Sequence, residues 1–222
     1  MRNVTLDLST LHLHGRAFYD YLKLRKSFFV DTLDWDIPHN NEVEMDQYDN
    51  PTAHYSIVVE GGRVLGGARI MPTSAEWGPH TYMLGDAAHG RLHGIPGDLL
   101  EEAPASGDVW ECTRLVMSES LSTHEQRNRC LSLIVGGLVD IAERHGASRL
   151  ISLSPLPLMR TLRQLGYDAG RIGAIFRGSE DGRRYSVLAM PTERRVGTQP
   201  RKAPAPAEAE AHEALAARIA AE

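Results

Sequence analysis

Asp46 and Asp49 stand three apart, on either side of Gln47-Tyr48, just ahead of an apolar run. Arg69 is the one charge in the apolar run after that. Arg25 falls within an amphipathic stretch, and Glu111 and Arg114 interrupt a third apolar run. Three carboxylates and three guanidiniums thus lie in or beside segments that read as core, where an unpaired charge costs several kcal/mol (about 3–5). Two readings follow. One is a structural ion-pair network. The other is a polar pocket for a zwitterionic substrate with a carboxylate and an amine, with or without a further positive centre. The second has specific chemistry: a carboxylate can take the proton of an attacking amine, and guanidinium forks match carboxylates.

The elements that must position these groups can be read in outline. Residues 53–59 and 64–71 are apolar runs separated by Gly61-Gly62, which predicts a tight hairpin because Gly supplies the positive φ of a two-residue turn. Residues 16–30 read as an amphipathic helix in which Arg25 falls at the apolar face; its plain reading is a stem that packs and a head that reaches water. Residues 31–50 read as a loop carrying Trp35, either a packed lid residue or an aromatic plate for a cation or an adenine. Residues 109–117 predict a buried strand, on which Glu111 and Arg114, three apart, should point to opposite faces. Residues 125–145 predict a long helix with Thr123 as N-cap, and Gly136-Gly137 inside it imply close packing on a sheet. A strand over 148–154, a proline-opened helix over 155–165 and strands over 174–177 and 185–190 follow. The order predicts an α/β fold with a mixed sheet.

The totals exclude several classes. A chain of 222 residues with 42 % hydrophobic and 24 % charged residues suits one globular domain. Residues 1–191 read as that domain and 192–222, rich in Ala, Pro and Glu, as a flexible tail. A net charge of −5 argues against nucleic acid and anionic membrane as partners. No run is apolar enough for membrane insertion or a leader, and two cysteines without CxxC spacing suit a cytoplasmic protein. His12 and His14 share a face only if on a strand, so no metal site is expected. There is no GxGxxG, Walker or GxSxG motif. Cys112, in an apolar strand, reads as an inert thiol.

The series R-x3-F in the first helix, a Trp, M-D-Q-Y-D, G-x-R-x-x-P-T and W-E-C-T-R resembles the acyl-homoserine-lactone synthases, the autoinducer synthases. The matching positions are Arg25, Phe29, Trp35, Asp46, Asp49, Arg69, Glu111 and Arg114, and the resemblance runs to about Met190. One departure is that Gly85–Leu92 has no Phe, where the family usually has one. The resemblance implies an N-acetyltransferase-like three-layer fold with a central mixed, mostly antiparallel sheet splayed at an acyl-binding cleft. It implies S-adenosylmethionine and an acyl thioester, on acyl carrier protein or coenzyme A, as substrates rather than cofactors. The product would be a quorum-sensing lactone, made by N-acylation and then ring closure with release of methylthioadenosine.

On that reading Glu111 is the first candidate base and Asp46 the second. Arg25, Phe29, Trp35, Asp49, Arg69 and Arg114 would form the S-adenosylmethionine pocket and its ion-pair network. Ser152 and Ser154, two apart on a strand, would face the acyl chain, or else cap a strand end. Arg149, Arg160, Arg163 and Arg171 would dock an acidic carrier, or else form a solvated face. An acetyl-CoA-dependent N-acyltransferase acting on another amine, or a non-catalytic ligand-binding module, would use the same scaffold.

Overall fold

The computed structural model describes residues 1–194, so the tail beyond that point, though part of the expectation for 192–222, lies outside the described residues. The sheet runs β1-β2-β3-β4-β5-β8-β6, with β7 also on β8. Its strands are β1 Arg2–Asp7, β2 His54–Glu60, β3 Arg63–Pro72, β4 Val109–Met117, β5 Arg149–Pro155, β6 Gly170–Arg171, β7 Phe176–Arg177 and β8 Arg184–Pro191. All neighbours are antiparallel except β4 and β5, which are parallel.

The hairpin forms where the sequence places it. Gly61 and Gly62 take φ of 56° and 78°, the pair of positive values that a two-residue turn with matching strand twist requires. Strand β1 was not among the elements expected from sequence. Its alternation rests on only Val4 and Leu6, and its ends are Arg2 and Asp7, so no apolar run marks it.

Consecutive glycines on β3 reveal the layers. A Cβ on Gly66 would meet Ile134 and Cys130 of α3 (His124–Arg144), whereas one on Gly67 would meet the Tyr21 ring of α1 (Ala17–Arg25). Successive strand residues point to opposite faces, so α1 and α3 cover opposite sides of the sheet. The α3 helix opens with a capping box between Thr123 and Gln126. Of its two central glycines only Gly137 is crowded: a Cβ there would lie 2.4 Å from Ser56 Oγ and 2.5 Å from Asn3 Oδ1. Gly136 faces open space, with its nearest neighbour, Arg194, at 3.8 Å, so close packing explains one glycine and not the other.

Two irregularities in the sheet shape the molecule. Strands β4 and β5 pair only from Val109–Glu111 to Arg149–Ile151 and then diverge. Strand β4 also bulges against β3: Gly67 pairs with Val116 and Arg69 with Thr113, leaving Arg114 and Leu115 opposite Ala68 alone. Arg114 takes φ of 56° at this bulge, a left-handed conformation that a side-chain-bearing residue adopts only under outside constraint. Tyr21 supplies one, donating from its hydroxyl to the Arg114 carbonyl at 2.8 Å.

The remaining helices are short. The α1 axis continues as a π-helical turn, Lys26–Thr32, and α2 (Met83–Ala88) breaks up the long connection between β3 and β4. The α4 helix (Pro157–Gln164) opens on proline. Among the described residues no helix is long and apolar enough to cross a membrane.

Candidate active site

The loop of residues 44–50 lies between α1 and the β3–β4 pair, and there five of the six predicted charges meet, Glu111 being the exception. Arg25 has no solvent exposure, which corrects the expectation of a head reaching water. Its Nη1 and Nη2 donate to Asp49 Oδ1 and Oδ2 at 2.8 and 2.9 Å, and its Nε to Glu44 Oε2 at 2.5 Å. Arg69 is equally buried. It donates to Asp46 from Nη1 (2.5 Å) and Nη2 (3.2 Å), lies 3.0 Å from Asp49, and donates from Nε to Thr113 Oγ1 at 3.0 Å. Arg114 reaches Glu44 Oε1 at 3.2 Å and Asp46 Oδ2 at 2.9 Å.

Three guanidiniums therefore interlock with three carboxylates, and Tyr55 adds a hydroxyl bond to Asp49 at 2.9 Å. The bulge is what brings Arg114 in. Regular alternation would have sent it away from Arg69's face; the extra residue turns it to the Asp46 that Arg69 also holds. Burial alone would raise the proton affinity of Asp46 and Asp49, but Arg69, with Arg114 on the first and Arg25 on the second, holds both carboxyls below the usual range.

Glu111 is different. It has no solvent exposure, and burial pushes its carboxyl up to about 7. Its partners are backbone amides: Met83 N donates to Oε2 at 2.8 Å and Leu84 N to Oε1 at 3.0 Å. These bonds and the nearby Arg69 pull the carboxyl down but do not outweigh burial. A carboxyl held this way exchanges a proton near neutral pH, as a general base should. Asp46, with both oxygens on guanidiniums, is a far weaker base.

The divergence of β4 from β5 opens a cavity of about 560 Å³. Phe29, Trp35, Asp46 and Arg114 line it, as do Ser152 and Ser154 of β5, and Val135, Leu138, Leu162 and Met190 add apolar surface. Phe29 and Trp35 stack with centroids 5.0 Å apart, and the Arg114 guanidinium lies 5.5 Å from the Phe29 centroid. Ser154 donates from its hydroxyl to Ser152 Oγ across 3.0 Å. Arg25, Asp49, Arg69 and Glu111 do not line the cavity and stand behind the residues that do. Cys112 lines it too, but burial raises its thiol well above the usual range, and the adjacent Glu111 adds to this.

Arg149, Arg160, Arg163 and Arg171 are all exposed, the middle two on α4, and Arg163 Nε donates to the Ala169 carbonyl at 2.7 Å. His12 and His14 lie on a 3₁₀ turn rather than on a strand. Sequence reasoning missed Glu44, which has no solvent exposure and bridges Arg25 and Arg114; nothing in the local pattern separates it from the exposed Glu42 two residues earlier. It also missed Thr113, whose place between Glu111 and Arg114 opposite Arg69 depends on the β3–β4 register.

Residues 10–196 match the family model described as autoinducer synthase. An acyl-homoserine-lactone synthase of Acinetobacter nosocomialis is 30 % identical over 157 residues, 67 % of this chain and 79 % of the relative. TofI, solved in a ternary complex with an inhibitor and MTA, superposes with a TM-score of 0.66 at 26 % identity, covering 87 % of this chain and 92 % of that one. The fold extends to an N-acetyltransferase of Lactobacillus plantarum, described as putative, with a TM-score of 0.51 at 13 % identity over 87 % of this chain and 100 % of that one, a likeness of fold alone. The order of charged residues, the splayed sheet and the match across residues 10–196 agree: the chain belongs to the autoinducer synthase family, the acyl-homoserine-lactone synthases.

Proposed function

We propose that this cleft joins S-adenosylmethionine to an acyl thioester and closes the product to a lactone, with Glu111 as proton acceptor. The observation that carries the proposal is the contrast between the carboxylates. Asp46 and Asp49 are neutralised by guanidiniums and held ionised, whereas Glu111 sits apart on two amides with a proton affinity suited to neutral pH.

The amine of S-adenosylmethionine must be neutral to attack. Glu111, behind the cavity wall, takes its proton through a water. The new N–C bond forms as the thioester C–S bond breaks, the nitrogen gives up a second proton to the departing sulfur, and the donor leaves as a thiol. The methionine carboxylate then attacks its own γ-carbon. The C–S⁺ bond breaks, its electron pair passes to sulfur, and neutral methylthioadenosine departs. Arg114 faces the cavity and suits the substrate carboxylate, while the Phe29–Trp35 stack offers π-faces to the sulfonium or the adenine. The apolar surface between β4 and β5 suits the acyl chain, with the Ser152 and Ser154 hydroxyls placed for an oxygen along it. The acyl donor is a carrier protein or coenzyme A, and the exposed arginines of β5, α4 and β6 would receive the acidic carrier.

The relation to TofI, solved with MTA, supports this assignment over an acetyl-CoA-dependent transferase acting on another amine, because only lactone formation expels methylthioadenosine. The test is mass spectrometry of lipophilic extract from a host expressing the chain. N-acyl-homoserine lactones absent from the empty host support the proposal. Their absence with folded protein present contradicts it.

A further inference from the structure

The reaction outlined above makes no use of Asp86, yet this carboxylate of α2 has no solvent exposure and is ringed by polar partners. Its Oδ1 accepts from Thr81 N (3.0 Å), Thr81 Oγ1 (2.8 Å) and Arg91 Nη1 (3.1 Å). Its Oδ2 accepts from the Tyr48 hydroxyl at 2.9 Å and lies 3.1 Å from His80 Nδ1.

Two connections lead from it to the active site. The first runs along the chain. Thr81 opens the turn that continues through Tyr82 into Met83 and Leu84, whose amides hold Glu111. Asp86 N also donates to the Tyr82 carbonyl at 2.9 Å, so Asp86 grips this turn from its far end. Gly85 lets the turn close this tightly, since a Cβ there would lie 2.6 Å from the Tyr82 ring and 2.8 Å from Thr81 Oγ1. The second connection runs through Tyr48. Its ring lies 5.5 Å from the Arg69 guanidinium, and its amide donates to Asp46 Oδ1 at 2.9 Å.

We propose that Asp86 is a positioning residue for Glu111: it locks the turn whose amides hold Glu111 to the loop that carries Asp46 and Asp49. Its relevance to turnover rests on the reading of Glu111 as proton acceptor. The titratable and charged groups facing Asp86 are Tyr48, His80 and Arg91; those nearest Glu111 are Arg69, Asp46, Tyr48, Tyr82 and Cys112. Burial alone would raise the proton affinity of Asp86, and the bonds from Thr81, Tyr48 and His80 outweigh it and keep it ionised. Loosening the turn weakens two amide bonds that favour the ionised form of Glu111, so Glu111 then keeps its proton to higher pH.

The experiment uses the full chain with Asp86→Asn and, separately, Tyr48→Phe, which removes one hydroxyl from the edge of the cluster. The Glu111 carboxyl is followed by carbon NMR through a pH titration, assigned with Glu111→Gln, and kcat and KM are measured alongside. In both variants Glu111 should titrate at higher pH. The kcat should fall by about 10- to 100-fold with little change in KM for S-adenosylmethionine, and Asp86→Asn should add nothing to Glu111→Gln. An unmoved Glu111 titration in a folded variant overturns the proposal, even if melting temperature falls. Where Asp86→Asn does not fold, Tyr48→Phe decides alone. A raised Glu111 titration with unchanged kcat upholds the lock and removes Glu111 as the proton acceptor instead.

Discussion

Arg69 and Asp46 meet fork to fork, at 2.5 and 3.2 Å, with side-chain exposures of 0 % and 3 %. The pair ties the central hairpin to the acidic loop, and Arg114 and Asp49 close the network around it.

Breaking this pair from one side leaves a buried guanidinium short of partners. Asp46→Asn is expected to lose about 3–5 kcal/mol in urea unfolding. A loss under about 1 kcal/mol, the scale of an exposed pair, would show that the network is not a structural keystone.

The carboxylates predict opposite pH slopes. Asp46 and Asp49 are depressed, so their contribution is present above the unfolded Asp value of about 3.9 and is lost as pH falls below it. Glu111 is raised. Its contribution is complete below the unfolded Glu value of about 4.3 and is lost as pH rises through about 7. Glu111→Gln should therefore flatten the decline of unfolding free energy between these pH values and leave the acid limb unchanged. An identical slope in wild type and variant would contradict the assignment.

Ser152 and Ser154 line the cavity as a bonded pair. Replacing both with Ala should reduce the preference for acyl donors bearing a 3-position oxygen by about fivefold, the worth of one hydrogen bond of about 1 kcal/mol. Competition between oxygenated and plain donors measures it, and an unchanged product ratio would leave the serines as caps of a strand end.

Arg160 and Arg163 lie one turn apart on α4 and both are exposed. Reversing both to Glu should raise KM for a carrier-borne acyl donor much more than for an acyl-CoA. The wild-type difference between donors should also shrink as salt shortens the Debye length from about 10 Å to about 3 Å. Equal effects on both donors would contradict docking by this face.

Much of this site could be read in the sequence because its parts lie in strongly patterned segments. The Gly61-Gly62 turn fixes the hairpin and so the position of Arg69, and the apolar strand around Glu111 identifies a lone buried acid. What could not be read depends on register. The bulge at Arg114 leaves no residue-type signature, yet it reverses the expected direction of that side chain. Arg25 looked like a snorkelling residue because its two partners, Glu44 and Asp49, come from a loop 19 and 24 residues away. Asp86 was invisible for the same reason: Tyr48, which ties it to the site, is 38 residues distant.

Coupled acylation and lactone closure are tested by a stoichiometry. Purified protein is given S-adenosylmethionine and an acyl thioester, and N-acyl-homoserine lactone and methylthioadenosine are quantified together by mass spectrometry. The two should appear one to one, and folded Glu111→Gln should lose both. An acylated amine without methylthioadenosine, or a Glu111→Gln protein that makes both at the wild-type rate, would contradict this.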